Sequence, residues 1–199
     1  MVWRLLIHLG DLPLTVAAAA AIAVWMTAAR MRRLAFWWSL FFLSAIALVA
    51  ATKVTSLVWG SAFPVIDFRA LSGHATGVTA ICVTLCYLAA GAQTGRWRIA
   101  SIAIGMLLGV LMAALLVVHD EHSIAEAAAG WALGAGASIG AIRLAAQAPP
   151  TRAPHALMLA AVVFVATVAM VNRLPVGYVM WRAAKVIARH TGALSIAGF

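Results

Sequence analysis

Two short polar clusters interrupt an otherwise apolar chain: Leu71-Ser72-Gly73-His74 and His119-Asp120-Glu121-His122-Ser123-Ile124-Ala125-Glu126. Each stands where a long apolar run begins, which sets two histidines at one depth of one membrane face. His122 and Glu126 are four residues apart, so on a helix they share a face and can hydrogen-bond. A carboxylate on one imidazole nitrogen fixes the tautomer and leaves the other nitrogen the better nucleophile. With His74 facing it from beside a second helix start, this is the equipment for phosphoryl transfer through a phosphohistidine. The plainer reading is an interfacial histidine with its ion partner. Against it, Glu126 falls inside an apolar run, where a carboxylate is costly and marks function.

Ser72-Gly73-His74 opens the next apolar run. Small residues at a helix start leave backbone N–H groups free at the positive end of the dipole, a ready anion site. Ser72 adds a hydroxyl, Gly73 lets an oxyanion approach the backbone, and His74 can donate a proton. Taken alone, the triplet reads as a plain helix cap; the second cluster is what favours the anion site. Lys53 ends the second apolar run, either as a snorkelling side chain or as a phosphate ligand. Arg69, beside Asp67 in the loop that leads to His74, can fork onto phosphate oxygens. Asp120 and Glu121 read as solvated loop residues.

These residues need a scaffold, and composition names it. Of 199 residues, 65% are hydrophobic and 10% charged, with mean hydropathy +1.04. Soluble domains carry about a quarter charged residues, so the expectation is an all-α, polytopic membrane bundle. Apolar runs at about 12–29, 35–52, 74–92, 99–118, 123–142 and 156–172 predict six spanning helices of roughly 20 residues. Helix is required, because a single span in lipid must satisfy its own backbone. Gly130, Gly134, Gly136 and Gly140 predict close helix approach. Arg4 is too little charge for a cleaved leader, and the run after it is long enough to span.

The formal charge of +9 comes from twelve arginines and two lysines. No basic segment exceeds Arg30-Met31-Arg32-Arg33, which argues against nucleic acid and for anionic headgroups. Cys82 and Cys86, one turn apart in an apolar run, read as packing residues rather than a redox or metal pair.

The connections divide by charge. Arg30, Arg32 and Arg33, then Arg96 and Arg98, then Arg143 and Arg152 follow alternate spans and are expected on the cytoplasmic side. Connections 53–73 and 119–122 then face outward with both termini. All five acidic residues and four of six histidines (His8, His74, His119 and His122) belong to that outer face. Pro149-Pro150-Thr151-Arg152-Ala153-Pro154 reads as a stiff linker before the last span. In 176–191, Arg182, Lys185 and Arg189 recur at helical spacing, with Trp181, Val186 and Ile187 elsewhere on the wheel. That pattern predicts an amphipathic helix at the headgroups. The expected organisation is a bundle over 1–172 and a basic interfacial tail over 173–199.

The order Lys53, then Ser72-Gly73-His74, then His122-x3-Glu126-x3-Gly130 resembles the type 2 phosphatidic acid phosphatase family of membrane lipid phosphatases. There a lysine begins the first motif, Pro-Ser-Gly-His is the second, and Ser-Arg-x5-His-x3-Asp-x3-Gly is the third. Leu9-Gly10-Asp11-Leu12 is similar to the opening of bacterial members, so the resemblance covers roughly 9–142 and leaves the tail unmatched. The chain departs from the pattern at Leu71 for proline and at Glu126 for aspartate. It has Gly60-Ser61 where Arg-Pro closes the first motif, and Leu115-Leu116 where Ser-Arg opens the third. Two phosphate-binding arginines are therefore missing from their places, and Arg69 and His119 are the candidates to stand in.

The resemblance implies a lipid phosphatase of a bacterial inner membrane, with its site facing the periplasm and no metal or cofactor. His122 would be the nucleophile, Glu126 its orienting carboxylate and His74 the general acid and base. Lys53, Arg69, Ser72, Gly73 and His119 would hold phosphate. The implied partners are a polyprenyl or glycerolipid phosphate and the surrounding membrane lipids. A lipid-to-lipid phosphotransferase would use the same residues, and a non-catalytic lipid-phosphate binding or transport protein would accommodate the missing arginines.

Overall fold

A computed structural model describes residues 3, 7–8, 10–60, 67–91, 95–145, 154–171 and 176–191. Seven helices are described, and no strand occurs among the described residues. They are α1 (Leu12–Ala28), α2 (Arg32–Trp59), α3 (Gly73–Ala89), α4 (Arg96–Val118), α5 (Ile124–Ala145), α6 (Pro154–Val171) and α7 (Val176–Thr191). Ser61, the linker over 149–153 and the tail residues 173–175 and 192–199 lie outside the described residues.

The helices follow the apolar runs with one correction. Lys53 does not begin a loop; it lies inside α2, which continues to Trp59 and stops at Gly60 with φ +82°. Lys53, Thr55 and Ser56 break the apolar run without breaking the helix, because Thr52 and Thr55 hydroxyls turn back onto backbone carbonyls of Val49 and Ala51. A glycine in the left-handed region is the stop signal that polarity is not.

By length and composition, α2 and α4 can each cross a membrane. The apolar helices α1, α3 and Met158–Met170 within α6 are shorter, and α5 carries Glu126 and Arg143. Large apolar side chains face outward along the long helices, among them Leu43 on α2, Ile99 and Leu107 on α4, and Val162 on α6.

Helix α3 is central, packed on α4 and α5, while α6 lies on α1 and α7 lies on α2. A methyl group on Gly130 would lie 2.6 Å from the carbonyl oxygen of Ser72, and one on Gly134 would collide with the carbonyl of Thr76. These two glycines press the start of α5 against the start of α3. A methyl group on Gly136 would meet open space, and one on Gly140 would make ordinary contact with Phe41. Deeper in the bundle the Ser138 hydroxyl donates to the Ala80 carbonyl at 2.7 Å and accepts from Thr84 and Trp38, joining α2, α3 and α5.

One end of the bundle is a core of Met26, Leu34, Trp38, Tyr87 and Ala141. The other end carries the starts of α1, α3 and α5, where the candidate site forms.

Candidate functional site

Ser123-Ile124-Ala125-Glu126 is a capping box. The Glu126 N–H donates to Ser123 Oγ at 3.3 Å, and the Ser123 N–H donates back to Glu126 Oε2 at 3.3 Å. The same Oε2 lies 2.8 Å from His122 Nδ1. Oε1 accepts the backbone N–H groups of Arg69 at 2.8 Å and Ala70 at 3.0 Å. Glu126 thus stands in the first turn of α5, buried, and its charge is met by three backbone donors and one imidazole. Because an ionised carboxylate only accepts, the proton of a neutral His122 ring sits on Nδ1 and the lone pair on Nε2. That is the nucleophilic tautomer.

The contact also fixes the approach to α3. Residues 69 and 70 hang from Glu126, the Ser72 N–H reaches the Glu126 carbonyl at 3.3 Å, and the Leu71 N–H reaches Thr52 Oγ1 at 3.2 Å. Ser72 is fully buried, and its hydroxyl accepts from Ala75 as the cap of α3. Gly73 opens that helix, and His74 projects from its first turn toward the start of α1.

There it meets a residue that the sequence reading left out of the site. His74 Nε2 lies 3.0 Å from Asp11 Oδ1, and Asp11 Oδ2 lies 2.8 Å from His8 Nδ1. Partial burial pushes the Asp11 carboxyl up, but hydrogen bonds from His8 and His74 outweigh it and hold the group below its ordinary 3.8. The Leu9-Gly10-Asp11-Leu12 resemblance was the available signal. Nothing in the sequence, however, joins residue 11 to residue 74.

Lys53 and Arg69 fall in two different cavities. A mostly apolar cleft of about 430 Å³ is lined by Leu12, Ile46, Val49, Lys53, Gly73 and His74, with Met180 of α7 also in its wall. A polar cavity of about 350 Å³ is lined by Asp67, Arg69, Asp120, Glu121, His122, Ser123 and Glu126. Lys53 therefore accompanies His74, whereas Arg69 accompanies His122. Asp120 and Glu121, read as solvated loop residues, stand around the second cavity. Arg69 Nε is 3.6 Å from Asp67 Oδ1, and both side chains are largely exposed. Asp67 and Asp120 adopt positive φ, 46° and 58°, a conformation aspartate tolerates better than most residues. His119 lines neither cavity; its ring stacks on Trp3 at 3.8 Å. Cys82 and Cys86 are free thiols on α3, away from both cavities.

No family model matches the chain, and no solved structure matches it. It is similar to an uncharacterized 22.5 kDa protein in the cps region of Klebsiella pneumoniae, 28% identical over 156 residues. That alignment spans 78% of this chain and 75% of the relative.

Proposed function

We propose that this chain is an integral membrane lipid phosphatase that cleaves a phosphate monoester or pyrophosphate of a lipid through a phosphohistidine. The observation that carries the reading is the His122 Nδ1 to Glu126 bond, with Glu126 itself pinned by the loop before α3. A buried carboxylate held by three backbone amides cannot swing away from its imidazole, and that rigidity is what a tuned nucleophile requires.

In the proposed reaction His122 Nε2 attacks phosphorus, the bond to the leaving oxygen breaks, and that oxygen departs with the electron pair. His74 supplies the proton it needs. Water then attacks the phosphohistidine, His74 takes the water's proton, and the electron pair of the P–N bond returns to Nε2. Lys53, Arg69 and the Gly73 amide would stabilise the equatorial oxygens.

A lipid substrate is supported by the mostly apolar cleft whose lining joins Lys53 and His74 to Leu12, Ile46 and Val49. The outward-facing apolar side chains of α2, α4 and α6 support insertion in a membrane, and the reading extends this to a bundle of six membrane-crossing helices with α7 at the headgroups. The arginine distribution supports an inner-membrane orientation with the His74 and His122 end outside. Phosphate release from a panel of polyprenyl and glycerolipid phosphates tests the reading. Wild type should release phosphate from at least one, and His122→Ala should fall to background on all; equal release by both sinks it.

The acidic lining of the cavity beside His122 favours a second reading. Asp67, Asp120 and Glu121 surround it, with Arg69 as the only Lys or Arg among the described lining residues, an unfavourable setting for a phosphate dianion. Saturable binding of lipid phosphate without turnover would identify a binding or transport protein instead.

A further inference from the structure

Asp11 occupies the N-cap position of α1 yet makes no capping hydrogen bond with its side chain. An N-cap aspartate ordinarily accepts from the N–H of the second or third helical residue. Here the second is Pro13, which has no N–H, and both carboxylate oxygens turn instead to His74 and His8. The neighbouring residue is shaped for the same contact. A methyl group on Gly10 would lie 2.7 Å from Cδ2 of His74 and 3.0 Å from its Cβ, so any larger residue there would displace the imidazole. The Thr15 hydroxyl donates to the Gly10 carbonyl at 3.0 Å and fixes that segment.

We propose that Asp11 is the positioning residue of His74, holding its Nε2 so that Nδ1 is the nitrogen that exchanges protons with substrate. The proposal rests on the lipid phosphatase reading. Asp11 accepts from Nε2–H, and Gly10 takes the Cδ2 edge, which leaves the Nδ1 edge directed away from α1. Among the described residues nothing bonds Nδ1. In the first step Nδ1–H passes its proton to the leaving oxygen as the P–O bond breaks; in the second, Nδ1 takes the proton of the attacking water. The two histidines are then held by opposite nitrogens, His122 by Nδ1 and His74 by Nε2.

The test uses the full chain in detergent with two probes, an alkyl phosphate whose leaving oxygen needs a proton and p-nitrophenyl phosphate, whose leaving group does not. Asp11→Ala removes no capping bond, so the fold should hold. Its kcat/KM, which reports only the steps up to loss of the leaving group and not the later attack of water, should fall about 100-fold on the alkyl phosphate and by no more than about threefold on p-nitrophenyl phosphate. Gly10→Ala, which displaces the ring while keeping the carboxylate, should reproduce the split. An equal fall on both substrates, or no fall on either, overturns the proposal. If wild type releases no phosphate at all, the phosphatase reading fails, and nitrogen-15 NMR of His74 still decides the positioning claim. The neutral ring should carry its proton on Nε2 in wild type and lose that preference in Asp11→Ala; an unchanged tautomer overturns it.

Discussion

Glu126 holds His122 at 2.8 Å through one carboxylate oxygen while its other oxygen ties down the backbone of Arg69 and Ala70. One side chain therefore orients the candidate nucleophile and anchors the loop that delivers Ser72, Gly73 and His74. Removing it should disturb chemistry and stability through separable routes.

Glu126→Gln keeps the shape but can present an N–H to Nδ1 and so stabilise the wrong tautomer. We expect kcat to fall about 10³- to 10⁴-fold with a small loss of stability, as found when a triad carboxylate becomes an amide. Glu126→Ala should add about 1–3 kcal/mol of destabilisation, because the Arg69 and Ala70 N–H groups lose their partner. Phosphate release and thermal unfolding in detergent separate the two effects.

Lys53 and Arg69 line different cavities, so their variants report what each cavity contributes to holding the phosphate and to the reaction. Lys53→Met should raise KM for a lipid phosphate about tenfold, equivalent to about 1.4 kcal/mol. Arg69→Ala should act mainly on kcat, since its cavity contains His122. Substrate titrations of both variants provide the measurement, and a reversed pattern would move the binding role to Arg69.

Gly134 is where α3 and α5 touch, and Gly136 faces open space. Gly134→Ala should destabilise by about 1–3 kcal/mol and lower activity by parting the two helix starts. Gly136→Ala should stay within about 0.5 kcal/mol of wild type. Melting temperatures of the pair check the contrast.

The orientation is open to labelling. With Cys82 and Cys86 replaced by alanine, Asp120→Cys should react with a membrane-impermeant thiol reagent in intact cells, and Arg143→Cys should react only after lysis. Labelling of both before lysis would contradict a multi-pass bundle with its basic end inside.

Asp11 gives the fold a pH signature. Its carboxyl is held below the ordinary 3.8 by His8 and His74, against the upward push of partial burial, so the ionised form binds the folded state more favourably. The stability it contributes is present above about pH 3.8 and is lost as pH falls through the lower folded-state value. Wild type should therefore be more stable than Asp11→Asn near neutrality, and the two unfolding curves should converge in acid.

The helices were legible because apolar runs in this chain are long and their ends are marked by arginine or by small polar residues. α2 was the exception: Lys53, Thr55 and Ser56 mimic a loop in composition, and only Gly60 carries the actual stop. The His122–Glu126 pair was legible because both residues lie on one helical turn. Asp11 was not, since its partner lies 63 residues away and only the packing of α1 against α3 brings them together. The division of Lys53 and Arg69 between two cavities was hidden for the same reason. A loop's residues sort by where the backbone N–H bonds to Glu126 pull it, and those bonds carry no side-chain signature at positions 69 and 70.

The central claim is that His122 carries the phosphoryl group. Rapid acid-free quenching of wild type with a turned-over lipid phosphate, followed by mass spectrometry of the peptide containing His122, tests it directly. A phosphorylated His122 that is absent in His122→Ala is the predicted result. Turnover of the same lipid with no phosphate on His122 at any quench time, or with full activity retained in His122→Ala, would contradict the account.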